Sequence, residues 1–172
     1  MMDRFTEKAR AAISAASETA FLKNNPEVTP WHLMKAFLDP AGGLIPAILE
    51  KLELTPARIA EVVDKQIESL PVQEGGGQGY LSAQLKKVIQ DAFGEAEALK
   101  DKFVSTEHLF LALVADRKSG VGDYLRGLGI QRERVLSALQ TLRGSEQVDD
   151  PNAEDRYQAL ERFTIDLVQL AL

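Results

Sequence analysis

No cysteine occurs among the 172 residues, which excludes disulfides and thiolate chemistry and is compatible with a reducing compartment. Histidine is almost as scarce, with only His32 and His108. A metal site needs three or four converging ligands, and no HExxH, CxxC or His-x-x-x-His spacing is present, so both are read as helix-start residues that hydrogen-bond locally. No apolar run approaches the roughly 20 residues of a membrane span. The start Met1-Met2-Asp3-Arg4 leads into an amphipathic segment instead of a signal peptide. A Gly-Lys-Ser/Thr phosphate loop and a G-x-S-x-G elbow are both missing, and Gly75 to Gly79, with no strand before it, reads as a linker. Basic residues are in deficit, 20 against 26 acidic, for a formal charge of −6. That balance disfavours a surface that tracks phosphates, and Lys86-Lys87 and Arg132/Arg134, interleaved with acids, read as solvated helix faces. The expectation is a soluble cytoplasmic protein that binds neither nucleic acid nor membrane.

What is present is a repeat. His108 minus His32 gives an offset of 76, shared by Leu109/Leu33, Ala112/Ala36, Leu125/Leu49, Leu128/Leu52 and Arg134/Arg58. Conservative pairs fill the gaps: Val28/Val104, Thr29/Ser105, Leu54/Ile130, Ile59/Val135 and Val63/Leu139. No insertion or deletion interrupts Phe5 to Val63 against Leu81 to Leu139. A unit duplicated once predicts two helical halves about a pseudo-twofold axis with one composite seam, the expected place of function. Apolar residues, 45% of the chain, suffice for a core.

Each half reads as four helices. Phe5, Ala9, Ala12, Ile13, Ala16 and Ala20 form a helical stripe behind the cap Thr6, copied as Leu81, Leu85, Val88, Ile89, Ala92 and Ala96 behind Ser82. Thr29-Pro30 opens a second helix over Trp31 to Leu38, whose twin runs from Thr106 to Ala115 behind Ser105. A short third helix covers about 45–52, and Thr55-Pro56 opens a fourth that Pro71 stops. The fold class is therefore all-α, two pseudo-twofold-related four-helix repeats. The divisions are 1–71 for the first repeat, 72–80 for a flexible loop, 81–143 for the second repeat, 144–152 for a polar linker, and 153–172 for a last amphipathic stretch. That stretch carries Tyr157, Leu160, Phe163, Leu167 and Leu170 on one stripe, with nothing left in the chain to cover it. It predicts a missing partner domain, and a tail that is poorly ordered or pairs with a second copy.

Nothing in the residues argues for an enzyme, because acids are so numerous that any catalytic pair would be arbitrary. Trp31, the lone tryptophan, suits core packing and an exposed contact equally well.

Val28-Thr-Pro-Trp-His-Leu-Met-Lys-Ala-Phe-Leu38 and Phe103-Val-Ser-Thr-Glu-His-Leu-Phe-Leu-Ala-Leu113 resemble the twin repeats of the Clp amino-terminal domain. The tail from Arg143 to Leu160, with Phe163-Thr-Ile-Asp-Leu167, resembles the linker and entry segment of the ClpB-type disaggregase branch. The resemblance covers essentially the whole chain. It implies a monomeric substrate-engaging domain tethered above a hexameric ATPase ring, ending where the first nucleotide-binding module would start. This chain would then need no cofactor, with ATP and magnesium used by the ring of the full-length protein. Unfolded or aggregated proteins would be the captured partners, in cooperation with the DnaK chaperone system. The alternative is an adaptor-docking domain of a ClpC- or ClpA-type protease chaperone. A small-ligand or hydrolytic domain using the inter-repeat cleft is a third reading.

The resemblance also implies site residues. Thr6, Asp101 and Glu107 match a substrate face, and Ile89 and Leu109 match an apolar groove near the fifth and sixth helices. Asp91 and His108 stand where leucines occur in that groove, making it more polar here. Each of the first three has a plainer role beside the functional one: Thr6 as a helix cap, Asp101 as a solvated loop acid, Glu107 as a carboxylate at a helix N-terminus.

Overall fold

A computed structural model describes residues 2–39, 43–75, 79–144 and 146–155. The first repeat contains α1 (Glu7–Leu22), α2 (Pro30–Leu38), α3 (Leu44–Lys51) and α4 (Pro56–Glu68). The second contains α5 (Ala83–Ala98), α6 (Thr106–Ala115), α7 (Gly120–Gly127) and α8 (Arg132–Arg143). Both first helices start as the sequence predicts: the Thr6 hydroxyl accepts from the Ala9 amide at 3.1 Å, and the Ser82 hydroxyl from the Leu85 amide at 3.0 Å. A side-chain oxygen there satisfies an amide that has no partner within the helix.

The duplication extends to the backbone turns. α1 ends with Asn24 in the left-handed region at φ 58°, and α5 with Lys100 at φ 60°. Asn25 N–H then donates to the Ala20 carbonyl, and Asp101 N–H to the Ala96 carbonyl, both at 2.9 Å. This is the paired-bond termination that caps free helix carbonyls. Glu53 (φ 63°) and Gly129 (φ 85°) repeat the device after the third helix of each half. One consequence matters below: Asn25 and Asp101 are delivered to equivalent buried positions.

The halves are interlocked. Glu27–Val28 (β1) pairs in parallel with Tyr80–Leu81 (β2), and Phe5 bridges Val104 in the same sense. The entry segment of each repeat thus pairs with the other repeat's segment before its second helix. Ser82 N–H donates to Val28 O at 2.9 Å, and Thr6 N–H donates to Val104 O at 3.0 Å. Two-residue strands are too short to leave a period-two signal, so the sequence reading passed over them. Between the halves runs α6, buried on all sides from Thr106 to Val114 as a helix apolar around its circumference should be. Phe37 of α2 meets Phe110 of α6 edge to face at 6.5 Å, joining the two cores.

The segment read as a polar linker lies on the body. Val148 and Ala153 are fully buried. Val148 O accepts from the amides of Lys102 and Phe103 at 2.8 and 3.1 Å, and Pro151 O accepts from Glu7 N–H at 2.9 Å. Composition alone indicated a tether, but unsatisfied amides at the starts of α1 and α6 recruit this stretch as a strap. Of the stretch 153–172, expected to be poorly ordered or to pair with a second copy, Ala153 and Glu154 are buried against the body, and the stripe from Tyr157 onward lies outside the described residues.

Candidate functional site

Two histidine sites lie at equivalent positions and differ in chemistry. In the first repeat, His32 Nδ1 accepts from the Thr29 amide at 2.8 Å, which leaves Nε2–H to donate to Asn25 Oδ1 at 2.9 Å. The ring is neutral, and burial depresses its pKa to about 4. In the second, His108 Nδ1 accepts from the Ser105 amide at 2.9 Å, and Nε2–H donates to Asp101 Oδ2 at 2.7 Å. Replacing Asn25 by its counterpart Asp101 brings a charge inside, and the fold answers it with Arg143. That guanidinium donates to Asp101 Oδ1 at 2.6 Å and to Glu107 Oε2 at 3.3 Å. Burial alone would raise Asp101, but hydrogen bonds from His108, Arg143 and the Val148 amide hold it near 2. Burial pushes Glu107 up to about 8, with the Glu154 carboxylate adding to the rise and Arg143 opposing it. Glu107 also accepts from the Ser105 hydroxyl.

The strap closes this cluster. Glu154 Oε2 accepts from the Thr106 amide at 3.0 Å and from its hydroxyl at 2.7 Å, capping α6 from 48 residues away. Its Oε1 is buried and finds no hydrogen-bond partner among the described residues. Leaving such an oxygen unpaired costs about 1–3 kcal/mol, more for a charged group.

Beside the strap lies a groove of about 460 Å³. Its floor is the alanine stripe Ala11, Ala12 and Ala15 of α1, faced by Ala36 and Phe37 of α2 and by Leu44 and Ile45 of α3. Asn152, Glu154 and Asp155 of the strap and Thr106 of α6 form the remaining wall. At the rim Lys8 meets Asp155 at 3.2 Å. At an offset of 76 the second repeat puts Lys87 and Asp91 where Ala11 and Ala15 stand, and these pair across one helical turn at 2.7 Å. Trp31 sits near that second location, about 3.2 Å from where a Gly120 Cβ would stand and 6.2 Å from the Tyr124 ring. Trp31 is thus an inter-repeat packing residue, half-buried. Its counterpart, Glu107, turns inward to Arg143, and Leu44 and Ile45 are left to line the open groove. Duplication predicts two equivalent grooves, and divergence at these positions gives the two locations different floors, alanine in one and a Lys87–Asp91 pair in the other.

The residues carried over by resemblance are all buried. Thr6 caps α1; Asp101 and Glu107 come together on Arg143, neither being a solvated acid; Leu109 lies in the core, and Ile89 at its edge. The structure brings Asp101 and Glu107 together, with Thr6 one residue before the strap contact at Glu7. Arg143, Glu154 and the alanine stripe were missed as site residues. Three alanines at helical spacing are indistinguishable from core, and Glu154 acts through a contact with no local sequence signal. Among the described residues no group of three or more His, Asp or Glu is placed to hold a metal ion, and no helix is long and apolar enough to cross a membrane.

The Clp repeat (R) N-terminal domain profile matches residues 4–128. The chain belongs to this family. It is 37% identical over 171 residues to the chaperone protein ClpB of Rhodopirellula baltica, covering 99% of this chain and 19% of that protein. The chain therefore spans about a fifth of the length of the curated relatives it matches. The crystal structure of the Hsp104 N-terminal domain from Candida albicans superposes with TM-score 0.76 at 23% identity, covering 87% of this chain and 98% of that one. A ClpV N-domain in complex with a VipB peptide superposes with TM-score 0.66 at 19% identity, covering 80% and 89%. Homology and fold agree on a Clp repeat domain.

Proposed function

We propose that this chain is the substrate-binding N-domain of a ClpB-type ATP-dependent chaperone. It captures unfolded or aggregated polypeptide in the groove on α1 and presents it for threading by a hexameric ring. The ring, its ATP and magnesium, cooperation with the DnaK system and a cytoplasmic setting belong to the longer protein in this reading, and the domain itself is a monomer. The observation that carries the proposal is the alanine-floored groove, whose floor positions Ala11 and Ala15 correspond to a Lys87–Asp91 pair in the other repeat. An open apolar surface with a polar rim binds many unrelated sequences because burial is non-directional. About 300 Å² of apolar contact supplies roughly 7 kcal/mol before association costs, so micromolar or weaker capture follows. The ClpV N-domain seen with a peptide supports such use of the same fold.

In this reading Thr6, Asp101 and Glu107 act at one remove. Thr6 starts the helix that floors the groove, while Asp101 and Glu107 hold the arginine against which the strap returns. Ile89 and Leu109 set the packing of α5 and α6 behind it.

The second repeat supplies the test. Ala11→Lys with Ala15→Asp copies the Lys87–Asp91 pair onto α1, at positions where the homologous helix already tolerates charge. Titrating a labelled, permanently unfolded protein by fluorescence anisotropy should show at least about tenfold weaker binding, with helicity and Tm preserved. Unchanged affinity in the folded variant overturns the assignment of the groove, and wild-type binding only of a dedicated folded adaptor overturns the capture reading.

A further inference from the structure

Resting on the capture reading, we infer that the strap, and not the two repeats alone, completes the polypeptide site: its acids select an apolar segment that carries a cationic residue, and occupancy tightens the strap onto the body. The groove's charged lining is lopsided. Among the described residues, Glu7, Asp39, Glu154 and Asp155 face one lysine, Lys8, and that lysine is already engaged by Asp155 at 3.2 Å. Asp39 lies 3.8 Å from Lys35, which in turn is held at 2.7 Å by Asp64. Glu154 adds a buried oxygen without a hydrogen-bond partner among the described residues, on a carboxylate whose other oxygen is committed to the start of α6. An apolar floor under an acidic wall is complementary to aliphatic or aromatic side chains beside a Lys or Arg, since a donated, charge-assisted hydrogen bond is the interaction such a carboxylate lacks.

The strap's role follows from its position. Asn152, Glu154 and Asp155 line the groove, and the strap is held by the Glu7–Pro151 and Thr106–Glu154 bonds. A ligand that touches the docked strap binds the docked state better than the released one, and linkage requires it to favour docking in return. The stretch of chain leading out of the domain thereby senses whether the groove is filled.

The test uses two labelled peptides of identical apolar sequence, one with a central Lys and the other with norleucine at that position, titrated into the protein at low and high salt. The Lys peptide should bind about tenfold tighter at low salt, with the advantage shrinking as salt rises. Glu154→Gln keeps an amide oxygen for Thr106 and should lose most of that advantage. In parallel, saturation with the Lys peptide should slow hydrogen exchange at the Glu7 and Thr106 amides at least severalfold. The wild-type arms decide the matter even where Glu154→Gln does not fold. Equal affinity for both peptides, or unchanged exchange at those amides, overturns this inference and leaves capture standing. If neither peptide binds, capture falls and takes the inference with it. Concentration-dependent dimerisation abolished by the Ala11→Lys/Ala15→Asp pair would put a second copy in the groove and also overturn it.

Discussion

The two repeats share caps, left-handed turns and a histidine after each turn, yet one holds its histidine with a neutral amide and the other with an ionic cluster. In the first half, Asn25 and His32 complete each other's hydrogen bonds with no charge buried. In the second, Asp101 recruits Arg143, and through it Glu107 and the returning chain. The difference teaches that a duplicated scaffold can keep its frame while its halves take separate duties: one keeps the open groove, the other anchors the strap that walls it.

The largest effect expected from probing this contrast is at Asp101. Asp101→Ala leaves Arg143, His108 and the Val148 amide without their shared acceptor and should cost about 3–5 kcal/mol in chemical denaturation. Asn25→Ala, at the equivalent place, strands His32 and the Pro71 carbonyl but no charge, and should cost about 1–3 kcal/mol. Equal losses at the two sites would erase the distinction between ionic and neutral anchors.

The pH profile sharpens it further. Glu107 is raised from 4.5 to about 8, so the folded state holds an extra proton over that range and stability falls as pH rises through it. His32 is lowered from 6.5 to about 4, so the unfolded state holds the extra proton and stability rises with pH over that range. The two slopes oppose each other between 4.5 and 6.5, giving a plateau there. Above it Glu107 acts alone, at about 1.4 kcal/mol lost per pH unit up to its folded pKa. Below it the contributions of His32 and of Asp101, held near 2, are both lost as pH falls. Glu107→Gln should abolish the alkaline decline, its advantage over wild type widening by about 2 kcal/mol between pH 6.5 and 8, read from denaturation midpoints across pH. A wild-type profile still flat from 6.5 to 8 would contradict this.

How much of this was legible beforehand depends on the range of the interaction. Helix starts were readable because Thr6, Ser82, Thr29 and Ser105 act within three residues of themselves. The repeat was readable because identical side chains recur at a fixed offset. The strand exchange was hidden, since it rests on backbone bonds between residues such as Phe5 and Val104 that any side chain could make. The strap was hidden for the same reason: its polarity marks a linker, and only the unfilled amides at the starts of α1 and α6 explain why it docks. The residues taken from resemblance, Thr6, Asp101 and Glu107 among them, lie buried beside the groove and not on its floor, because an alanine stripe carries no sign of being uncovered.

The smallest expected effect lies in the turns. Lys100 holds a left-handed conformation that its counterpart Asn24 tolerates more easily. Lys100→Gly should raise stability by about 0.5–1 kcal/mol, and Asn24→Gly by less, measured as shifts in Tm.

The exchanged entry segments have one more consequence. Each half finishes the other's short sheet, so a single repeat standing alone would present an unfinished edge and a half-exposed central helix. Two such halves on separate chains would clasp each other by the same handshake that the fused chain makes with itself. The fusion removes the demand that the partners be identical, and that freedom allowed an alanine floor on one side and a lysine–aspartate pair on the other.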